Sequence, residues 1–233
     1  MRNLFGEVKA LVYPLAKKIE IISKENKNMI IDYKNQEQMK ELGFRISKKY
    51  GRVYVSVDGD FESVTFINFP TITTDGTDYK NCTFENTQSI EFSTADVQNC
   101  TFRNVSEVSG HYTDFIGCKF EQCCSQGPLL TIDNVGSVEG CSFETINALG
   151  EDGYIIYSVY GKKKDVREIK NCKFIDCEVE SEDKSLTYCA YFTRFSSYKT
   201  KEIDNVDFWS CDFGEGVPIL IGSFETEIED NDE

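Results

Sequence analysis

The chain has 233 residues, with 40 Asp and Glu against 25 Lys and Arg and a formal net charge of −15. A field of that sign repels nucleic acid and anionic membranes unless a basic patch stands apart, and the one compact basic run, Lys162-Lys163-Lys164, reads as a solvated loop tip. Aromatics reach 13 %, with 17 Phe, 12 Tyr and one Trp, while only 4 Pro occur; rings pack well on pleated surfaces and scarce proline leaves strands unbroken, so β structure is expected.

At the start of the chain Leu4, Val8, Leu11, Leu15, Ile19 and Ile22 follow helical spacing, with Pro14 as a break or kink. Charges interrupt the apolar part of this stretch and no small-residue cleavage site follows it, which is unlike a secretion signal. No apolar run approaches the roughly 18 residues of a membrane helix, and a cytoplasmic location is expected. A second helix is expected over Gln36 to Leu42, ended near Gly43. Residues 1–50 therefore read as an N-terminal cap, at least partly helical, after which Gly51 leads into the alternating strand RVYVSV.

From residue 51 to 224 a repeat organises the chain. Phe66, Phe84, Phe102 and Phe120 stand 18 residues apart, and their neighbours match: FESVTFINF from Phe61, YKNCTFENT from Tyr79, VQNCTFRNV from Val97 and FIGCKFEQC from Phe115. VEGCSFETI from Val138, IKNCKFIDC from Ile169 and IDNVDFWSC from Ile203 fit the same template, which makes seven segments. Cys82 and Phe84 are two apart and share one face of a strand, while Thr83 and Glu85 take the other. The outward column beside the Phe reads Ile67, Glu85, Arg103, Glu121, Glu144, Ile175, Trp209. Asn81, Asn99, Gly117, Gly140, Asn171 and Asn205, just before the Cys or Val, are residue types that tolerate left-handed backbone and suit a bend entering each strand. A second strand per repeat is expected at Thr71-Ile72-Thr73, Ile90-Glu91-Phe92, Leu129 to Ile132, Tyr154 to Tyr160, Tyr188 to Phe195 and Ile219 to Ile221. No single repeat buries its own apolar face, so the repeats must stack, with like residues about 4.8 Å apart. Later intervals lengthen, and the extra residues are expected as loops over Asn147 to Gly153, Gly161 to Arg167 and Glu180 to Ser185. Residues 225–233 are acidic and expected to fray.

Ten Cys invite a disulfide or zinc reading, but their positions argue for the core. Cys82, Cys100, Cys118, Cys141 and Cys172 hold one repeat position; Cys123, Cys177 and Cys211 hold another, filled elsewhere by Thr87, Val105 and Ile146. A residue interchangeable with Val, Ile and Thr is a small core residue, so reduced thiols are expected; Cys124 and Cys189 fall outside the two columns. There is no Cys-x-x-Cys pair and one His, so no metal site of zinc spacing and no cofactor is expected. The sequons at Asn81, Asn99 and Asn104 lie in or beside expected strands and read as coincidence. His111 is the single imidazole, and Asp114, Asp133, Glu144, Asp176 and Asp207 are carboxylates available for acid–base work, but no phosphate loop, serine elbow or dinucleotide fingerprint accompanies them.

The repeats NCTFENT, NCTFRNV and NCKFIDC resemble coils of the pectate-lyase-like right-handed parallel β-helix superfamily, over roughly Phe61 to Phe213. The repeats and the helical spacing before them lead to an all-β chain, a single-stranded parallel β-helix of about seven coils with an N-terminal α-helical cap; the resemblance favours the right-handed form, while the period of 18 is also the coil length of left-handed β-helices, whose hexapeptide pattern is missing. Hydrolases of that superfamily carry Asp-rich motifs followed by a His and an Arg-x-Lys, and its lyases combine acidic calcium ligands with a catalytic Arg or Lys; neither set is matched, since His111 has no Arg-x-Lys downstream. No catalytic residue is carried over.

The expected function is therefore non-catalytic: a macromolecular interaction module whose partner is a protein. A carbohydrate-active or carbohydrate-binding protein is the alternative, and an acidic mimic of nucleic acid is another. The rings with the right chemistry for a binding surface are Tyr154, Tyr157, Tyr160, Tyr188, Tyr191 and Trp209. Composition leaves the oligomeric state open.

Overall fold

The computed structural model describes residues 29–49, 52–56, 60–133, 136–150, 154–158, 169–181, 188–195, 203–212 and 217–224. Among them, strands dominate, pairing almost throughout in parallel. The chain is an all-β protein with long parallel sheets.

The Phe of each repeat explains why. In register, Phe66 lies opposite Phe84, then Phe102, Phe120, Phe143, Phe174 and Phe208. Their rings stack with centroids 4.6–5.2 Å apart and planes within 14° of parallel. In-register pairing repeats one residue every strand spacing, so like rings meet face to face; each pair adds about 0.5–1.5 kcal/mol beyond its burial. All seven segments found in the sequence join this one ladder.

The ladder also extends further back than the repeat is legible. Strand β1 (Met29–Asp32) pairs in parallel with Val64–Ile67 and sets the buried Ile31 opposite Phe66. After β1 comes helix α1 (Gln36–Glu41), close to the expected span, with Asn35 Oδ1 accepting from the Gln38 amide at its start. Met39 turns its apolar side into the core, and Gly43 ends the turn at φ 80. Strands β2 (Arg45–Lys49) and β3 (Arg52–Ser56) form the one antiparallel pair among the described residues. The helix expected over Leu4 to Ile22 and the acidic stretch 225–233 lie outside the described residues.

The residues before the bend form a second parallel sheet, which the template did not separate from the first. In it Phe61, Tyr79, Val97, Phe115, Val138, Ile169 and Ile203 stand in register. The predicted bend is real: Asn81, Asn99, Gly117, Gly140, Asn171 and Asn205 all have φ between 51 and 63. Two further corners have the same backbone. Asn68, Asn86, Asn104, Gln122, Thr145, Asp176 and Ser210 turn the chain two residues after the Phe, and Gly76, Thr94 and Tyr112 turn it again. Side-chain amides pair across repeats at these corners, Asn104 donating to Asn86 at 2.7 Å and Asn205 to Asn171 at 2.8 Å.

Second strands are found at the six expected places, and the Phe102 repeat adds one at Val108 that was not expected. Val55, Ile72, Ile90, Val108, Leu130, Ile156, Ala190 and Ile219 follow one another in register. One expectation fails: the start of the loop placed at Asn147 to Gly153 is a strand. Asn147–Gly150 pairs with Cys124–Ser125 and Glu178–Ser181 in a small third sheet, which also takes in the first residues of the loop placed at Glu180 to Ser185. The longer spacing hid the fact that these repeats keep their early geometry, with Ile146 and Cys177 packed in the same column as Cys123. The rest of those loops, Gly161 to Arg167, and the run Lys162-Lys163-Lys164 lie outside the described residues.

Nine of the ten cysteines, all but Cys189, are described with their side chains and are free thiols, as their interchange with Thr and Val suggests. Each column sits one residue past a corner and has a shared task. Cys82, Cys100, Cys118, Cys141 and Cys172 donate to the carbonyl two residues back (Lys80, Gln98, Ile116, Glu139, Lys170) at 3.3–3.7 Å. Cys123 and Cys177 do the same at the second corner, where Thr87 Oγ1 donates to the Glu85 carbonyl at 3.3 Å. A thiol is the compromise between an apolar filler and a weak donor at a buried corner. Burial pushes the Cys123 thiol up to about 11 and the Cys177 thiol to about 12.

Candidate interaction face

Alternation along Val64–Ile67 buries Val64 and Phe66 and turns Thr65 and Ile67 outward, and register repeats this in every later strand of the ladder. The outward column therefore runs as the sequence lists it, from Ile67 to Trp209. Its middle is charged and mutually satisfied. Arg103 reaches Glu121 at 2.8 Å and Glu85 at 3.8 Å, and Lys119 lies 2.6 Å from Glu121 and 2.9 Å from Glu144. Lys119 and Arg103 hold the Glu121 carboxyl below the usual carboxylate range. The same contacts raise Lys119 and Arg103 above their ordinary values.

Past Glu144 the column changes character, to Ile175 and then Trp209, whose side chain is 62 % exposed. The neighbouring sheet path shows the same change. Its outward column reads Thr73, Glu91, Ser109, Thr131, Tyr157, with Tyr191 and Leu220 at the next register positions. Polar residues thus give way to Ile175 and Trp209 past Glu144 in the first column and to Tyr157 in the second, on strands whose backbone is fixed by the ladder.

The ring candidates separate on this geometry. Trp209 is exposed and Tyr157 is half-buried. Tyr154 is a correction: it is only 6 % exposed, its ring stacks on Tyr157 with centroids 5.6 Å apart, and its carbonyl accepts from the Leu129 amide. Its position at the start of a buried strand, beside Ile155 and Ile156, packs it inward. Tyr188 pairs with Tyr154 and Tyr191 with Tyr157 in register, whereas Tyr160 lies outside the described residues.

The carboxylates set out for acid–base work are dispersed. Glu144 is ion-paired, Asp176 occupies a corner, and Asp133 follows His111 in register. The His111 ring packs edge-on against Tyr112 at 4.5 Å. Asp207 stands beside Lys173 in register. Asp114 accepts from both the amide and the hydroxyl of Ser137 at 2.8 Å.

Asp114 belongs to a column the repeat template stopped one residue short of. Asp60, Asp78, Asp96 and Asp114 recur every 18 residues, and three of them cap the next repeat: Asp60 accepts from the Asp78 amide at 3.1 Å, Asp78 from the Asp96 amide at 2.9 Å and Asp114 from Ser137, while the Asp114 amide donates to the Ala95 carbonyl instead of to Asp96. Burial, then repulsion from Asp78 and Asp114, raises the Asp96 carboxyl. The interval was visible in the sequence, and its use is structural, as an amide cap at the third corner. Among the described residues no three ligating side chains are grouped to hold a metal ion, and no helix is long and apolar enough to cross a membrane.

No protein-family model matches the chain, and no curated protein matches it.

Proposed function

We propose that the chain is a right-handed parallel β-helix of the pectate-lyase-like type that serves as a non-catalytic interaction module, docking another protein on the outer face of its C-terminal repeats. Left-handed corners, three in each of the first three repeats and two in each later one, and the parallel register along the Phe ladder support the coil, and parallel crossovers are right-handed in about 98 % of cases. The functional reading rests on one observation: Trp209 is 62 % exposed at the end of a column whose charged members have partners. Large amphipathic rings on rigid backbone are the usual anchors of protein interfaces.

Trp209 is the only Trp in the chain, so intrinsic fluorescence reports on this face alone. Free protein is expected to emit at the solvent-exposed edge and to be quenched by iodide. Titration with a purified partner should shift the emission blue and remove the quenching. Trp209→Ala should weaken binding by at least about 30-fold, the effect of a hot-spot residue, with an unchanged melting temperature. Equal partner affinity of Trp209→Ala and wild type rejects the reading. The exposed indole also suits a sugar ring, which keeps carbohydrate binding as the second reading; the same fluorescence titration with soluble polysaccharides tests it.

A further inference from the structure

Two of the nine cysteines whose side chains are described reach solvent: Cys124 is exposed and Cys211 half-buried, while the other seven are buried. Register distinguishes the two. Cys124 stands opposite Asn147, whereas Cys211 stands opposite another thiol. Ile175 pairs with Trp209 and Glu178 bridges to Asp212, so Cys177 and Cys211 face each other between them. Backbone bonds fix the pair on both sides: the Asp176 amide donates to the Trp209 carbonyl at 2.9 Å, and the Asp212 amide to the Cys177 carbonyl at 2.8 Å. Both sulfurs turn into the same corner. Cys177 Sγ donates to the Phe143 and Ile175 carbonyls at 3.3 and 3.4 Å, and Cys211 Sγ to the Phe174 and Trp209 carbonyls, both at 3.4 Å. The two side chains are also in hydrogen-bonding contact with each other. Neighbouring parallel strands stand about 4.8 Å apart, inside the roughly 4.4–6.8 Å that the Cα atoms of a disulfide span.

From this juxtaposition we infer that Cys177 and Cys211 are a reversible oxidation site, closed to a disulfide by a small disulfide of the glutathione class, which staples the last repeat to the one before it. Thiol–disulfide exchange supplies the chemistry. Cys211, as thiolate, attacks one sulfur of oxidised glutathione and expels a glutathione thiolate. Cys177, as thiolate, then attacks the Cys211 sulfur and expels the second. The two cysteines lose two protons and two electrons, and the oxidant gains them as two glutathione thiols. Burial raises the Cys177 thiol, so the first attack falls to Cys211 and the second is the slow step. Each cysteine gives up only a weak donor at its corner, and its sulfur keeps its place in the column. The buried column of Cys82, Cys100, Cys118, Cys141 and Cys172 also sets thiol beside thiol, but there no member is open to an oxidant. The inference does not rest on what docks at Trp209.

The test treats the native full chain with excess oxidised glutathione over a time course and maps each cysteine by mass spectrometry without reduction. Cys177 and Cys211 should be recovered as one cross-linked pair of peptides, two hydrogens lighter than the free thiols. Cys124 should carry glutathione, which shows that the reagent works, and the buried column should stay reduced. The melting midpoint should rise by about 5–10 °C and fall back with dithiothreitol. Cys177→Ser keeps a small hydrogen-bonding side chain at the corner; its Cys211 should hold glutathione as a lasting mixed disulfide, with no rise in midpoint. Cys211→Ser should leave Cys177 a free thiol. A wild-type chain that ends with glutathione on Cys211 beside a free Cys177 overturns the inference. So does a Cys211 that stays reduced while Cys124 reacts, or a cross-linked protein that melts at the midpoint of the reduced one.

Discussion

The repeats from Phe61 to Cys123 and those from Gly140 to Asp212 share one interior and differ on the outside. In the first group the interval is a constant 18, the outward column is charged from Glu85 onward, after Ile67, and Glu85, Arg103 and Glu121 each meet an opposite charge of the adjacent strand. In the second the interval grows, the column turns to Ile175 and Trp209, and the indole stands free of the core. A ladder tolerates this because each repeat touches only its neighbours. Interior positions are constrained by the residue above and the residue below, whereas outward positions and insertions are constrained only by solvent. Regular outside and regular inside are separable properties, and the place where they part is the place to seek a partner.

The sharpest way to break the comparison is to remove a ring from the shared interior. Phe102→Ala leaves a cavity between Phe84 and Phe120 and should cost about 3–5 kcal/mol in urea unfolding. Phe208→Ala, at the partly buried end of the same stack, should cost clearly less. Equal losses at the two sites would mean that the stack does not weaken toward its end.

Alkaline unfolding tests the thiol columns, which both groups share. Cys123 and Cys177 are raised by burial, so the unfolded chain loses their protons first, from about pH 9. Stability should be pH-independent from this source below that point. It should then fall by about 1.4 kcal/mol per pH unit per thiol until about pH 11 for Cys123 and about pH 12 for Cys177. A flat profile would sink the reading of these thiols as neutral donors. In the native state a thiol reagent should label the exposed Cys124 at once and the buried columns only after unfolding.

Gly110 tests how closely the regular repeats are packed. A Cβ there would lie 2.7 Å from Phe115 Cε2 and 3.1 Å from Thr113 Cβ, so Gly110→Ala should cost about 1–3 kcal/mol by overpacking. The smallest effect is expected outside: Glu121→Gln removes the centre of the ion-pair ladder and should cost under about 1 kcal/mol, and nothing measurable in high salt.

Much of this was legible in the sequence because a parallel in-register ladder places identical positions on top of one another, so periodicity in the chain becomes contact in space. The Phe stack, the cysteine column and the first left-handed corner follow from that alone, and so does the order of the outward column. What escaped was whatever the period does not mark. Ile31 joins the ladder with no recognisable repeat around it, since a buried strand asks only for an apolar residue of suitable size. Asn147–Gly150 looked like insertion because spacing counts residues and not hydrogen bonds. Tyr154 and Trp209 are both aromatic residues of late strands, yet one is packed inward and the other projects outward. Which it is depends on the face of the strand and on what the adjacent repeat offers there, and only the tertiary structure decides that, because burial is a property of neighbours and not of the residue.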